Sequence, residues 1–330
     1  MTADAERDRL VRTTERWFVE HGLPWFVDSR RERARAALGR VRVTSVLVVS
    51  LVVLVALAVV VGRATGDGWL ATATGVSASV LLLVGYAFVT LGGSSVLRWA
   101  GRKTLGSLGL MVPLAARALP LLLLFMTFLF INTEVWQVAS RLGGGVMWAA
   151  TMFFAGIGLL FLVTRLPEEL DVFDEQLTGE RIVAGCARTP LAGSVHDLGI
   201  EAEHVERHSH VVGLERANLV LVLLVAQAIQ VLLLSVAVWG FFMAFGAVAI
   251  DDDVIASWVA IDGSPFYHFQ HVFSRELIRV STFLAAFAGL YFTVYAVTDE
   301  TYRRQFFTEV TGELERAVSV RLVYRRLREG

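Results

Sequence analysis

An all-α helical bundle crossing a membrane six times is the fold this sequence predicts, and three observations predict it. Apolar residues make up 55% of the 330-residue chain and charged residues only 18%, against about 25% charged in an ordinary soluble domain. Six apolar stretches reach the roughly 20 residues that a helix needs to cross a hydrocarbon core about 30 Å thick, where every backbone group must be satisfied within its own helix. Assigning both ends to one side also puts 25 of the 30 Lys and Arg residues on that side and three on the other. By the positive-inside rule that side is cytoplasmic.

Residues 1–42 read as a cytoplasmic amphipathic segment. An Arg/Glu-rich helix runs to Glu20, breaks at Gly22 and Pro24, and brings Trp17, Phe18, Trp25 and Phe26 near one another in sequence. Such a segment is expected on the inner membrane surface, helped by attraction of its arginines to anionic headgroups. A helical hairpin packed on the bundle is the competing reading.

Residues 43–164 hold four spans, at 43–61, 69–92, 114–138 and 146–164. The first follows 42 charge-rich residues and has no small-residue cleavage site behind it, so it is expected to remain as an anchor. In the second, Ala71, Gly75 and Ser79 recur at i+4 and should admit a close neighbour helix. In the third, Pro113 and Pro120 flank Arg117 and predict a kink or an interfacial turn, with Arg117 snorkelling to the headgroups.

Residues 165–218 read as a cytoplasmic helical loop, acidic at first and loosened near Pro190 and Gly193. Residues 219–297 supply two further spans, at 219–242 and 277–297, joined by an outer loop. The apolar run from Leu219 to Ile250 is so long that the helix must tilt, break near Gly240 or project beyond the membrane. Residues 298–330 form a cytoplasmic C-terminal helix with Phe306, Val310, Leu314 and Ala317 on one stripe. It either continues the last span or lies along the membrane. Trp69, Trp136, Trp148 and Trp239 fall toward the outer ends of their spans, the headgroup level that amphipathic rings favour.

Composition and spacing exclude several function classes. A net charge of −1 gives no reason to expect nucleic acid. The one cysteine, Cys186, forbids an intramolecular disulfide and reads as a free, structurally neutral thiol. The run Gly101-Arg102-Lys103-Thr104 resembles the end of a phosphate-binding loop, but Val96 stands where that loop needs glycine. In His204-Val205-Glu206-Arg207-His208 the histidines share a helical face, while the glutamate lies about 200° round the helix from His204 and cannot act beside a metal held there. No catalytic motif survives, no cofactor is expected, and the expectation is that the chain is not an enzyme.

Two clusters remain as weak metal candidates. His204 and His208, with His210 and Glu201 nearby, could supply imidazoles. In the outer loop Asp251, Asp252 and Asp253 precede Asp262, His268 and His271, a set of oxygen and nitrogen donors. A solvated helix face and an acidic helix cap are the ordinary readings of the two clusters.

Ionisable groups inside a membrane are costly and serve paired or functional roles. Glu134, near the outer end of the third span, and Arg279, at the outer start of the sixth with Arg275 one turn before it, lie at similar depth. The expectation is that Glu134 approaches Arg279 or Arg275, either as a structural lock or as part of a gate. Gln227 and Gln230 lie three apart on one face of the fifth span, where amides bond neighbouring helices or line a polar cavity.

The run 218–245, with Gln227, Gln230 and Trp239-Gly240-Phe241-Phe242, resembles runs in uncharacterised bacterial multi-pass membrane proteins. So do Gly289-Leu290-Tyr291-Phe292 with Thr298-Asp299 and Tyr302-Arg303-Arg304, and His21-Gly22-Leu23-Pro24. The resemblance covers about a third of the chain by our reading and implies the six-span architecture, with no activity or ligand attached. The sequence thus leads to a protein of the bacterial cytoplasmic membrane with the lipid bilayer as its medium. It is expected to be a scaffold or signalling protein that meets protein partners through its cytoplasmic segments. The alternative is a small-solute or ion transporter built on Glu134 and Arg279.

Overall fold

The computed structural model describes residues 3–66, 68–90, 92–142, 144–174, 184–187, 189–193, 211–259, 268–269, 273–298 and 300–329. They are almost wholly helical, as the sequence predicts. Among the described residues five helices are long and apolar enough to cross a membrane, and a sixth crossing is reached if one bent helix pair is counted as a span. The chain forms two compact units. One gathers Met1–Lys103, Leu166–Ala226 and Gln305–Gly330; the other gathers Thr104–Arg165 and Gln227–Arg304.

In the first unit α1 (Ala3–Glu20) ends in a Schellman turn. Gly22 takes φ +75°, and the amides of Gly22 and Leu23 donate to the carbonyls of Val19 and Phe18 at 3.3 and 2.8 Å. A 3-10 turn, Pro24–Phe26, follows, and then α2 (Asp28–Ala37). Phe18, Trp25 and Phe26 are buried. The Phe18 ring lies 5.4 Å from Phe26 and 5.6 Å from Tyr324 in the C-terminal helix. These aromatics are therefore core residues of the unit.

Next come α3 (Arg40–Thr65) and α4 (Gly68–Thr90). They replace the expected spans 43–61 and 69–92 with nearly the same bounds. Their contact is the small-residue stripe: a Cβ on Gly75 would lie 2.6 Å from the Leu54 carbonyl oxygen, so only glycine admits this approach. The Ser50 and Ser79 hydroxyls donate to each other's backbone carbonyls at 3.3 and 2.9 Å. Outside this seam α3 exposes apolar side chains on every other face, with Ser50 its one buried residue, as a helix bathed in acyl chains would.

The long helix α5 (Gly93–Phe130) continues through Pro113 and Pro120 without the expected turn. Its residues from Thr104 onward belong to the second unit. There the expected third span, 114–138, is not straight. The axis turns by 76° between Phe130 and Thr133, where α6 (Thr133–Arg141) begins. Two local satisfactions explain the break. The Asn132 side chain caps α6 by accepting from the amides of Glu134 and Val135 at 2.8 and 3.4 Å. The Trp136 indole donates to the Phe130 carbonyl at 2.6 Å, one of the acceptors that the end of α5 leaves open. Trp136 is wholly buried, with Phe130 and Trp258 each 5.6 Å from it. It is therefore a core residue, whereas Trp148 is 67% and Trp239 37% exposed.

The remaining helices are α7 (Gly144–Asp174), α8 (Leu214–Ala249), α9 (Asp252–Trp258), α10 (Arg275–Thr298) and α11 (Glu300–Glu329). The α8 helix is 36 residues long with no break at Gly240. The C-terminal residues expected to form one helix indeed do so, on the far side of residue 299 from α10. A two-residue antiparallel pair, β1 (His268–Phe269) with β2 (Phe273–Ser274), places His268 opposite Ser274. It was not foreseen. In the core of the second unit Phe130 stacks on Phe242 at 4.7 Å, and Phe154 meets Phe283 and Phe287 edge-on at 5.7 and 5.6 Å.

Candidate functional site

The most organised polar arrangement among the described residues lies in the first unit, around Glu215. This residue stands in the first turn of α8, just ahead of the apolar run, and only 3% of its surface is exposed. Its carboxylate receives three guanidinium groups. Arg321, 2% exposed, donates through Nε at 2.8 Å and approaches through Nη2 at 2.7 Å, both to Oε2. Arg325, one helical turn later, reaches both oxygens at 3.1 Å, and Arg31 of α2 reaches Oε1. A buried carboxylate needs such donors, since an unpaired charge out of water costs several kcal/mol.

The network continues from Arg31 to Asp28, from Asp28 to Arg328, and from Arg328 to the Tyr324 hydroxyl at 3.3 Å. That hydroxyl donates to Glu15 of α1 at 2.8 Å. Burial first, and the Glu15 carboxylate second, push the Tyr324 hydroxyl above its usual range. Burial pulls the Arg321 guanidinium downward, opposed by Glu215, while the hydrogen bond to Tyr324 raises Arg328. Four chain segments are thereby fastened together: α1, α2, the start of α8 and the end of α11.

A second latch lies one turn along α8. Asn218, fully buried, accepts from the Trp25 amide at 2.9 Å and donates to the Gly22 carbonyl at 3.0 Å. It fixes the turn between α1 and α2 against α8. Beside this latch lies an open groove of about 450 Å³, lined by Trp25, Gly213, Arg216, Ala217, Val220, Leu221 and Leu224. Arg216 is its one charged wall.

The residues singled out from the sequence fare differently. Glu134 and Arg279 do not pair. Glu134 is exposed on the first turn of α6, with no ion-pair partner among the described residues. Arg279 instead donates to the Ser140 carbonyl in the last turn of the same helix. There a cation complements the helix dipole and fills an open acceptor. Arg275 is exposed at the start of α10 and is engaged elsewhere. Gln227 is buried at 3% exposure, and Gln230 carries a buried Oε1 with no hydrogen-bond partner among the described residues.

His204, His208 and His271 lie outside the described residues, and so does the side chain of His268. Asp251 and Asp253 are exposed, Asp251 preceding α9 in extended conformation without a side-chain capping bond. Among the described residues no three His, Cys, Asp or Glu side chains gather as a metal site. Cys186 is free but fully buried, which corrects its reading as structurally neutral. Burial pushes its thiol up to about 12. The turn that carries it packs on α11, where a Cβ on Gly185 would meet the Glu315 carbonyl at 3.1 Å.

The cluster around Glu215 escaped sequence reading because its members are 106 and 184 residues from Glu215. A signal existed in α11: Arg321 is set in the apolar run Val318-Ser319-Val320-Arg321-Leu322-Val323-Tyr324, a charge with no polar face to occupy. The chain matches no family model, no curated protein and no solved structure.

Proposed function

We propose that this chain is a six-span protein of the bacterial cytoplasmic membrane with both ends in the cytoplasm. In this reading it acts without catalysis, as a scaffold or signalling protein whose partner-facing part is the first unit. The observation that carries the reading is the Glu215 cluster with its four fastened segments. The network spends its charges on each other and holds a surface in one shape, which is what a docking platform requires. The direct contact of α1 and α2 with α11 supports an even number of crossings between them, and so supports counting the bent α5–α6 pair as the sixth. Exposed Arg30, Arg33 and Arg35 ahead of α3, with Arg40 and Arg42 in its first turn, support the cytoplasmic assignment.

The test is site-specific photo-crosslinking in intact cells. Probes at Arg33 and Glu32 should yield discrete protein adducts, and a probe at the lipid-level Trp148 should not. Adducts from all three positions alike, or from none, would overturn the platform reading.

A transporter is the second reading. The buried oxygen of Gln230, without a hydrogen-bond partner among the described residues, favours it, since an unsatisfied amide in apolar surroundings is costly unless it serves a ligand. It has lost the Glu134–Arg279 pair on which it was first built. Solute flux into proteoliposomes that Gln230→Leu abolishes would establish it in place of the scaffold.

A further inference from the structure

The geometry points to a specific site for one anionic phospholipid in the groove beside Trp25, with the phosphate at Arg216 and an acyl chain along Val220, Leu221 and Leu224. This rests on the membrane reading above and goes beyond it, because a bilayer as solvent does not imply a bound lipid.

The groove is ordered from polar to apolar along α8. Glu215 and Arg216 are the last charged residues before the apolar run, and Glu215 is turned into its cluster of arginines. Arg216, which also has a partner within the protein, is thus the charged residue among those that line the groove. Ala217, Val220, Leu221 and Leu224 follow at i+1, i+4, i+5 and i+8 from it, one stripe of the helix. A ligand that matches these walls carries negative charge at one end and a flexible apolar chain at the other. In a helix that begins a membrane span, this transition falls at the boundary of headgroups and acyl chains, where phospholipid is the abundant amphiphile.

The site is also built in advance. Asn218 holds the turn that carries Trp25 by two hydrogen bonds, one from the Trp25 amide and one to the Gly22 carbonyl. Gly213 at the mouth leaves open space where a Cβ would stand. The volume of about 450 Å³ is in the range of roughly 300–1,000 Å³ common for small-molecule sites. A guanidinium has five donors in a planar fork, so Arg216 can meet a phosphate while other donors serve the protein. An extended peptide fits worse, because its backbone would find one polar side chain on an otherwise apolar wall.

The test is native mass spectrometry of the full chain purified in detergent, titrated with phosphatidylglycerol and phosphatidylcholine bearing identical acyl chains. One phosphatidylglycerol per chain should bind about tenfold more tightly than phosphatidylcholine, whose choline cation offsets the charge of its phosphate and is repelled by Arg216. Arg216→Gln should bring the two lipids level, and Leu221→Trp, which fills the groove, should weaken both. The control Arg30→Gln/Arg33→Gln should keep the preference, and excess inorganic phosphate should not displace the lipid.

Leu224→Trp is a second filler should Arg216→Gln disturb the fold, with helical circular dichroism and monodisperse elution as the check. Equal binding of the two lipids by the native chain would overturn the site. So would a preference that survives both groove variants, one lost in the control, or displacement by phosphate. A chain released from vesicles by alkaline carbonate would instead sink the membrane reading itself.

Discussion

Arg321 and Glu215, 106 residues apart, form an ion pair buried at 2% and 3% exposure in the first unit. Taking one partner from such a pair leaves an uncompensated buried charge, a loss of about 3–5 kcal/mol. Glu215→Ala should therefore destabilise strongly, and more than Arg321→Met, because it leaves three guanidinium groups facing one another. The double variant Glu215→Leu/Arg321→Met should recover most of the loss. Thermal unfolding in detergent reads all three. A Glu215→Ala midpoint equal to the native one would show that the cluster does not hold the unit together.

Asn218→Ala should strip the Trp25 amide and the Gly22 carbonyl of their partners at once. Buried groups left in that state cost about 1–3 kcal/mol. The turn between α1 and α2 should loosen before the rest of the chain, so limited chymotrypsin digestion should cut after Trp25 or Phe26 in the variant and spare the native protein. Equal resistance of both would refute the latch.

The second unit ranks two charged residues in the reverse of their apparent importance in the sequence. Arg279→Ala removes the donor to the Ser140 carbonyl and should cost about 1–2 kcal/mol, as loss of a charged hydrogen bond at a helix end does. Glu134→Gln, at an exposed position, should stay within about 0.5 kcal/mol of the native protein. Unfolding midpoints of the two variants check the ranking, and the opposite order would restore the importance of Glu134.

Alkaline pH should destabilise through Cys186. Its thiol is raised from 9.0 to about 12 by burial, so between those values the unfolded chain has lost a proton that the folded chain keeps. Stability is then unaffected below about pH 9 and falls as pH climbs toward 12. Tyr324, raised in the same direction, adds to the loss. The native protein should lose midpoint across this window more steeply than Cys186→Ala, and its thiol should resist alkylation at neutral pH until the chain unfolds. Parallel pH profiles for the two proteins would contradict this account.

Much of the architecture was legible because the relevant physics is local. Apolar length and helix period place α3, α4, α7, α8 and α10, and the i+4 repeat of Ala71, Gly75 and Ser79 marks the seam with α3. The bend after Phe130 was also written locally but was outweighed. Asn132-Thr133-Glu134 is a capping sequence with an acidic first turn, but the apolar run around it is long enough for one straight span. Residue type and a place near the outer end of a span point Trp136 to the headgroups, whereas its indole is needed by the Phe130 carbonyl. The Glu215 cluster was beyond local reading. Charges flanking a span look like solvated residues until the distant segment that buries them is known.

The hydroxyl of Tyr324 bonds a carboxylate 309 residues earlier in the chain, and this separation sets an order of events during synthesis. The helices before α3 leave the ribosome long before α11 exists, so Phe18 must wait for the Tyr324 ring that packs against it. Closing so large a loop is slow, since its entropy must be lost before any contact rewards it. The first unit can therefore be completed only after the last helix has been delivered.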